Sequence, residues 1–120
     1  MSMYQHRVWE WMRATFSLRT CVSQQERNLR FLEEALELVQ SLDLSREDAI
    51  GLVNYVYDRP LGDPPQEVGG VMVTLAALCA ANELDMGIAA YKELDRCWAS
   101  QDKIRAKQKL KPEHICAKAS

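Results

Sequence analysis

Glu33, Glu34 and Glu37 lie in the run Phe31-Leu-Glu-Glu-Ala-Leu-Glu-Leu38 and are the side chains here best suited to chemistry. At about 100° per residue the three share one face of a helix, while Leu29, Leu32, Leu36 and Val39 lie elsewhere on the wheel. Such a cluster is either a solvated face or half of a site for a hard cation such as Mg²⁺, which takes oxygen ligands. A second acidic group converging on it would decide between the two. Glu67 is the candidate, because it opens a stretch through Asn82 that is otherwise almost wholly apolar. One account of Glu67 is a carboxylate favoured by the positive end of its own helix, worth about 0.3–1 kcal/mol. The other is that it faces Glu34 and Glu37 across a helix pair. Carboxylates crowded into a partly desolvated groove repel one another, and a divalent cation removes the conflict.

The elements that must position these groups are helical. Tyr4, Val8, Met12 and Phe16 recur at a spacing of four, which predicts a first amphipathic helix over 3–17. Residues 20–25 read as a connection, followed by the acidic helix to Leu42. Ser45 is placed to cap the next helix, with Glu47 and Asp48 in its positive first turn. That helix ends before Arg59-Pro60, and Pro60-Leu-Gly-Asp-Pro-Pro65 is a loop. The helix from Glu67 to Asn82 is apolar nearly all round, which predicts burial in a bundle or an oligomer. Asp85 precedes a last helix carrying Ile88, Tyr91, Leu94 and Trp98, fading into 103–107, and residues 112–120 read as a flexible tail. No strand alternation or repeat is present, so the expected fold is all-α, a bundle of four or five helices in a single domain over 1–111.

The bulk properties narrow the function classes. A chain of 120 residues can bury a core without staples, and a net charge of −2 argues against a stable nucleic-acid complex. Cys21, Cys79, Cys97 and Cys116 show no metal-binding spacing and read as free thiols in a reducing cytoplasm. The longest apolar run, 68–81, is shorter than the roughly 20 residues of a membrane span. His6 and His114 lie in opposite terminal regions, and neither suggests a nucleophile pair with a Ser or Cys. Trp9, Trp11 and Trp98 could stack on a base, although aromatic residues at helical spacing more often pack in a core. Thr74 is one helical turn from Gly70 and can bond back to its carbonyl.

Glu-Glu-x-x-Glu on one helix, then a helix opened by Glu, resembles the MazG-like all-α nucleoside triphosphate pyrophosphohydrolases, particularly small phage- and prophage-type members. The segments that carry the resemblance are Arg27 to Val39, Glu67 to Cys79, Asn82 to Met86 and Lys103 to Gln108, within about 24–108. The resemblance implies an all-α bundle of that type completed by oligomerisation, as a homodimer or homotetramer with its groove near the subunit interface. It implies Mg²⁺- or Mn²⁺-dependent cleavage of a nucleoside triphosphate to monophosphate and pyrophosphate, a house-cleaning activity on the nucleotide pool. Glu34, Glu37 and Glu67 would correspond to metal ligands and Glu33 to a further ligand or a water-orienting base. Lys103, Arg105 and Lys107 would neutralise phosphates, although a solvated basic helix end explains them equally well.

The chain departs from the family pattern in two ways, the first being that the spacing between its acidic blocks is at the long end for the family. Second, the motif continues Glu-x-x-Asp, and three residues after Glu67 stands Gly70. Metal would then be held by Glu33, Glu34, Glu37 and Glu67, with the glycine admitting substrate or a neighbouring backbone. The alternative is a catalytically degenerate MazG-like module that keeps the fold and binds nucleotide or a protein partner.

Overall fold

The computed structural model describes residues 1–111 and contains seven helices: α1 (Met3–Thr15), α2 (Leu18–Val22), α3 (Gln24–Ser41), α4 (Arg46–Tyr57), α5 (Pro64–Ala81), α6 (Met86–Ala99) and α7 (Gln101–Gln108). The all-α expectation holds among the described residues, with more helices than the four or five expected. The surplus has local causes. Ser17 caps a short turn by accepting from the Thr20 amide at 3.2 Å, so Thr20 to Val22, read as connection, become part of α2. At the other end Ser100 interrupts the last helix and α7 restarts beyond it.

Serine caps define further starts. Ser45 Oγ accepts from the Asp48 amide at 3.1 Å, with Glu47 and Asp48 in the first turn, as expected. The helix α5 begins three residues earlier than expected, because Pro64 and Pro65 occupy its first positions, where a missing N–H costs nothing. Glu67 therefore closes the first turn of α5, its amide donating to the Asp63 carbonyl at 2.9 Å.

Two helix ends share one stop signal. After α3, Leu44 N–H reaches the Val39 carbonyl at 3.0 Å and Asp43 adopts φ 71°. After α5, Leu84 N–H reaches the Cys79 carbonyl at 2.9 Å and Glu83 adopts φ 56°. Both are Schellman turns built without the glycine that this left-handed position favours.

The chain divides into two compact units, one of Met1–Phe31 with Gly87–Ser120 and one of Leu32–Met86. The first holds every buried residue among those described: Thr15, Cys21 and Leu94. Tyr4 Oη donates to the Ala90 carbonyl at 3.0 Å and its ring meets Tyr91 edge-on at 5.1 Å, joining α1 to α6. Burial of the Tyr4 phenol pushes its pKa up, as does the charge of nearby groups such as Glu93. Arg105 ties α7 to the end of α1, and Glu26 on α3 is gripped by Arg30 at 3.0 Å and by the Gln108 amide. Trp11 packs edge-on against Phe16 at 5.6 Å, and Arg13 lies 5.8 Å from the Trp9 ring.

The second unit consists of the C-terminal part of α3, then α4 and α5, and none of its residues is buried. This differs from the expectation for α5: Val68 is 63% exposed, Met72 51% and Val73 70%. The helix has the composition of a core helix, and no described residue of its own unit encloses it. No single helix among the described residues is long and apolar enough to cross a membrane.

Candidate functional site

The acidic helix brings its carboxylates to a groove. Between α3 and α4 lies a cavity of about 500 Å³ lined by Glu33, Glu37, Gln40, Ser45 and Arg46 at polar positions. Its remaining walls are Leu36, Val39, Leu44, Ala49, Ile50 and Val53. The Schellman turn at Asp43 ends α3 and the Ser45 cap starts α4, so the backbone signals at 42–45 set the junction whose two helices line the groove. Glu33 and Glu37, four residues apart, stand one turn above each other on its rim. Glu34 is exposed and is not among the lining residues.

A cavity of this size with an apolar lining and a few polar groups matches the form of small-molecule sites. Two carboxylates and one guanidinium supply both signs of charge. The carboxylates suit a hard cation, and Arg46 suits an anionic group such as a phosphate.

Glu67 does not complete the constellation within one chain. Its carboxylate folds back over the loop before α5, against Gly62, where an added Cβ would strike it. Among the described residues no group of three or more His, Cys, Asp or Glu side chains is arranged to hold a metal. Glu33 and Glu37 alone match the one or two carboxylates that Mg²⁺ commonly takes from a protein, the rest of its shell being water and phosphate oxygen. Crowding does not explain the glycine at position 70. A Cβ there would meet nothing within 4 Å. Thr74 Oγ1 donates to the Gly70 carbonyl at 2.8 Å, the role expected for it.

The basic residues proposed for phosphate belong to the first unit. Arg105 is engaged: its Nε donates to the Thr15 carbonyl at 2.8 Å and its Nη1 pairs with Asp102 at 2.7 Å. It satisfies a carbonyl at the end of α1, a structural role that spacing along α7 did not disclose. Lys103 lines a shallow pocket with Trp98 and Asp102, and Lys107 is exposed. Arg46 is the residue that sequence reading missed. Its signal was available, since it follows the Ser45 cap and so begins the helix facing the acidic one. His6 pairs with Glu10 at 3.1 Å on the exposed side of α1, and His114 and Cys116 lie outside the described residues.

No protein-family model, curated protein or solved structure matches this chain.

Proposed function

We propose that the chain is a Mg²⁺-dependent nucleoside triphosphate pyrophosphohydrolase, acting in the cytoplasm on the nucleotide pool. The observation that carries this reading is the α3–α4 groove, with Glu33 and Glu37 on the rim of a largely apolar cavity and Arg46 among its lining residues. The resemblance of Arg27–Val39 and Glu67–Cys79 to the MazG-like family agrees with it.

In this reading Glu37 would hold the metal from the groove, joined by Glu34 and Glu67, which a single chain leaves outside it, when the site is fully assembled. The metal, when bound, polarises phosphate oxygens and offsets charge on the pyrophosphate leaving group. Glu33 orients a water toward the α-phosphorus and accepts its proton. Water oxygen bonds to that phosphorus, the bond to the bridging oxygen breaks, and nucleoside monophosphate and pyrophosphate leave. Arg46 neutralises phosphate charge, and the apolar walls from Leu36 to Val53 accept the base or sugar. Lys103, Arg105 and Lys107 were candidates for the phosphate role. Arg105 is less suited to it, because its guanidinium is already committed to Thr15 and Asp102.

The test is pyrophosphate release from a panel of nucleoside triphosphates with Mg²⁺. Glu37→Gln should lower kcat/KM at least about a hundredfold, since a lost ligand forfeits several kcal/mol and each 1.36 kcal/mol is tenfold. Its helical circular dichroism should match the parent. A wild-type chain that releases no pyrophosphate from any member of the panel would sink the reading.

Gly70 and the incomplete acidic set favour a second reading, a module that binds nucleotide without cleaving it. Calorimetry separates the two. A catalytic site should bind Mg²⁺ more tightly with nucleotide present, whereas a degenerate module should bind nucleotide with no metal coupling.

A further inference from the structure

Charge is divided unevenly along this chain. Among the described residues, the unit of Met1–Phe31 with Gly87–Ser120 carries twelve Lys and Arg against five Asp and Glu, a net +7. The unit from Leu32 to Met86 carries two against eleven, a net −9, so the total of −2 conceals both. Like charges gathered in one small unit repel, and a bound anion relieves that repulsion. The basic unit also holds a place for one. A cavity of about 480 Å³ has Arg19, Thr20, Ser23, Glu26, Gln108 and Lys109 in its walls, drawn from α2, the start of α3 and the end of α7.

We propose that this cavity binds a small anion with two or more linked phosphates, of which inorganic pyrophosphate is the simplest. Arg19 and Lys109 are exposed cations from separate helix ends, and neither has an ion pair among the described residues. Thr20 Oγ1 accepts from Ser17 at 3.1 Å, and Ser23 Oγ accepts from the Glu26 amide at 3.2 Å. Each hydroxyl therefore keeps its own hydrogen to donate. Glu26 brings a carboxylate, but its charge is more than offset. Arg30 Nε lies 3.0 Å from it, Arg27 Nη2 3.9 Å, and the Gln108 amide donates to it. Arg27 Nε and Nη2 are shut off from water without a hydrogen-bond partner, and its Nη1 meets the Met12 sulfur, a weak acceptor. Four cations thus stand against one carboxylate, and the 18-residue α3 adds the positive end of its dipole at the same wall.

The shape of the ligand follows from the donors. A guanidinium grips one phosphate with two parallel hydrogen bonds, while an ammonium holds a neighbouring phosphate as a point charge. A concave wall of this kind takes a compact anion, whereas a nucleic acid is tracked by a long stripe of cations with stacking rings. None of Lys103, Arg105 and Lys107 lines the cavity, and no residue is shared with the α3–α4 groove.

The site is independent of the cleavage reading, since it is read without metal and without turnover. Titration calorimetry of the full chain with inorganic pyrophosphate, in Mg²⁺-free buffer containing EDTA at low ionic strength, should show saturable binding. Arg19→Gln and Lys109→Gln should each weaken it about tenfold, the worth of one charge-assisted hydrogen bond. Both side chains are exposed, so the helical circular dichroism of each variant should match the parent. Lys92→Gln removes a cation of the same unit that does not line the cavity, and should leave the affinity unchanged. Arg46→Gln removes the cation of the groove and should also leave it unchanged. A nucleoside triphosphate should compete through its phosphate chain, and the matching nucleoside should not. Absence of saturable binding would overturn the proposal. So would an equal loss in Lys92→Gln, the mark of diffuse attraction, or a loss in Arg46→Gln, which would put the anion in the groove. A single-stranded oligonucleotide that binds more tightly than pyrophosphate would overturn it in favour of a nucleic-acid surface.

Discussion

At the scale of single residues, two left-handed positions are costly choices that substitution can reveal. Asp43 and Glu83 hold φ 71° and 56° where a helix turns back on itself. Aspartate tolerates that region through short-range hydrogen bonding, while glutamate has a longer side chain and no such compensation. Glu83→Gly should therefore raise stability by about 0.5–1 kcal/mol, the left-handed penalty less the added freedom of the unfolded glycine. Urea unfolding checks it, and Asp43→Gly should gain less. The carboxylate of Glu93 adds a pH signature. A hydrogen bond from Arg96 holds its pKa below the ordinary glutamate value, against the opposing effect of partial burial. The sign follows from the depressed folded-state pKa: the pair contributes above the unfolded value, and the contribution is lost as pH falls through the folded one. Both side chains are more than half exposed, so the effect is small. Between pH 6 and pH 3 the wild-type thermal midpoint should fall slightly further than that of Glu93→Gln.

At the scale of elements, polar ties join α1, α3 and α7 in the first unit. Glu26 is one carboxylate serving two guanidiniums and an amide, with its side chain 11% exposed and that of Arg30 13%. Removing its charge takes an ion-pair partner from both Arg30 and Arg27. Glu26→Gln should cost about 2 kcal/mol, the upper part of the range for hydrogen bonds to charged groups. The urea midpoint should drop with little change in slope. The helix start at Ser45 was legible from residue type, because a hydroxyl before a helical run has one profitable use. The five-residue α2 and the break at Ser100 were not legible. Short helices carry too few residues for periodicity to register, and tertiary contacts at Thr15 and Cys21 hold those segments in place.

At the scale of the whole molecule, the first unit contains the small buried set and the second contains the candidate site and the uncovered apolar surface. Site and surface share elements, since α3 and α4 supply both. Where two copies complete the site, as the resemblance to the MazG-like family implies, separating them should weaken catalysis even at positions outside the groove. Val73→Arg should lower pyrophosphate release in parallel with the loss of dimer, and raising protein concentration should partly restore it. Activity that stays constant through dissociation would show that each chain carries a complete site.

From sequence alone came the all-α class, the bounds of the acidic helix to within a residue or so, the cap at Ser45 and the back-bond of Thr74. Each rests on local physics, in which a side chain acts on its own turn of helix. The Glu33–Glu37 pairing was equally local, set by a spacing of four. Tertiary structure decided which of the three carboxylates line a cavity, that Arg46 joins them and that Arg105 serves the end of α1. It also showed that Glu67 turns toward Gly62 and that α5 is left uncovered in its own unit. These depend on the mutual rotation of helices, which hydrophobic patterning constrains least where a helix is apolar all round. α5 is such a helix, and its sequence announces that it must be covered without naming the face or the partner.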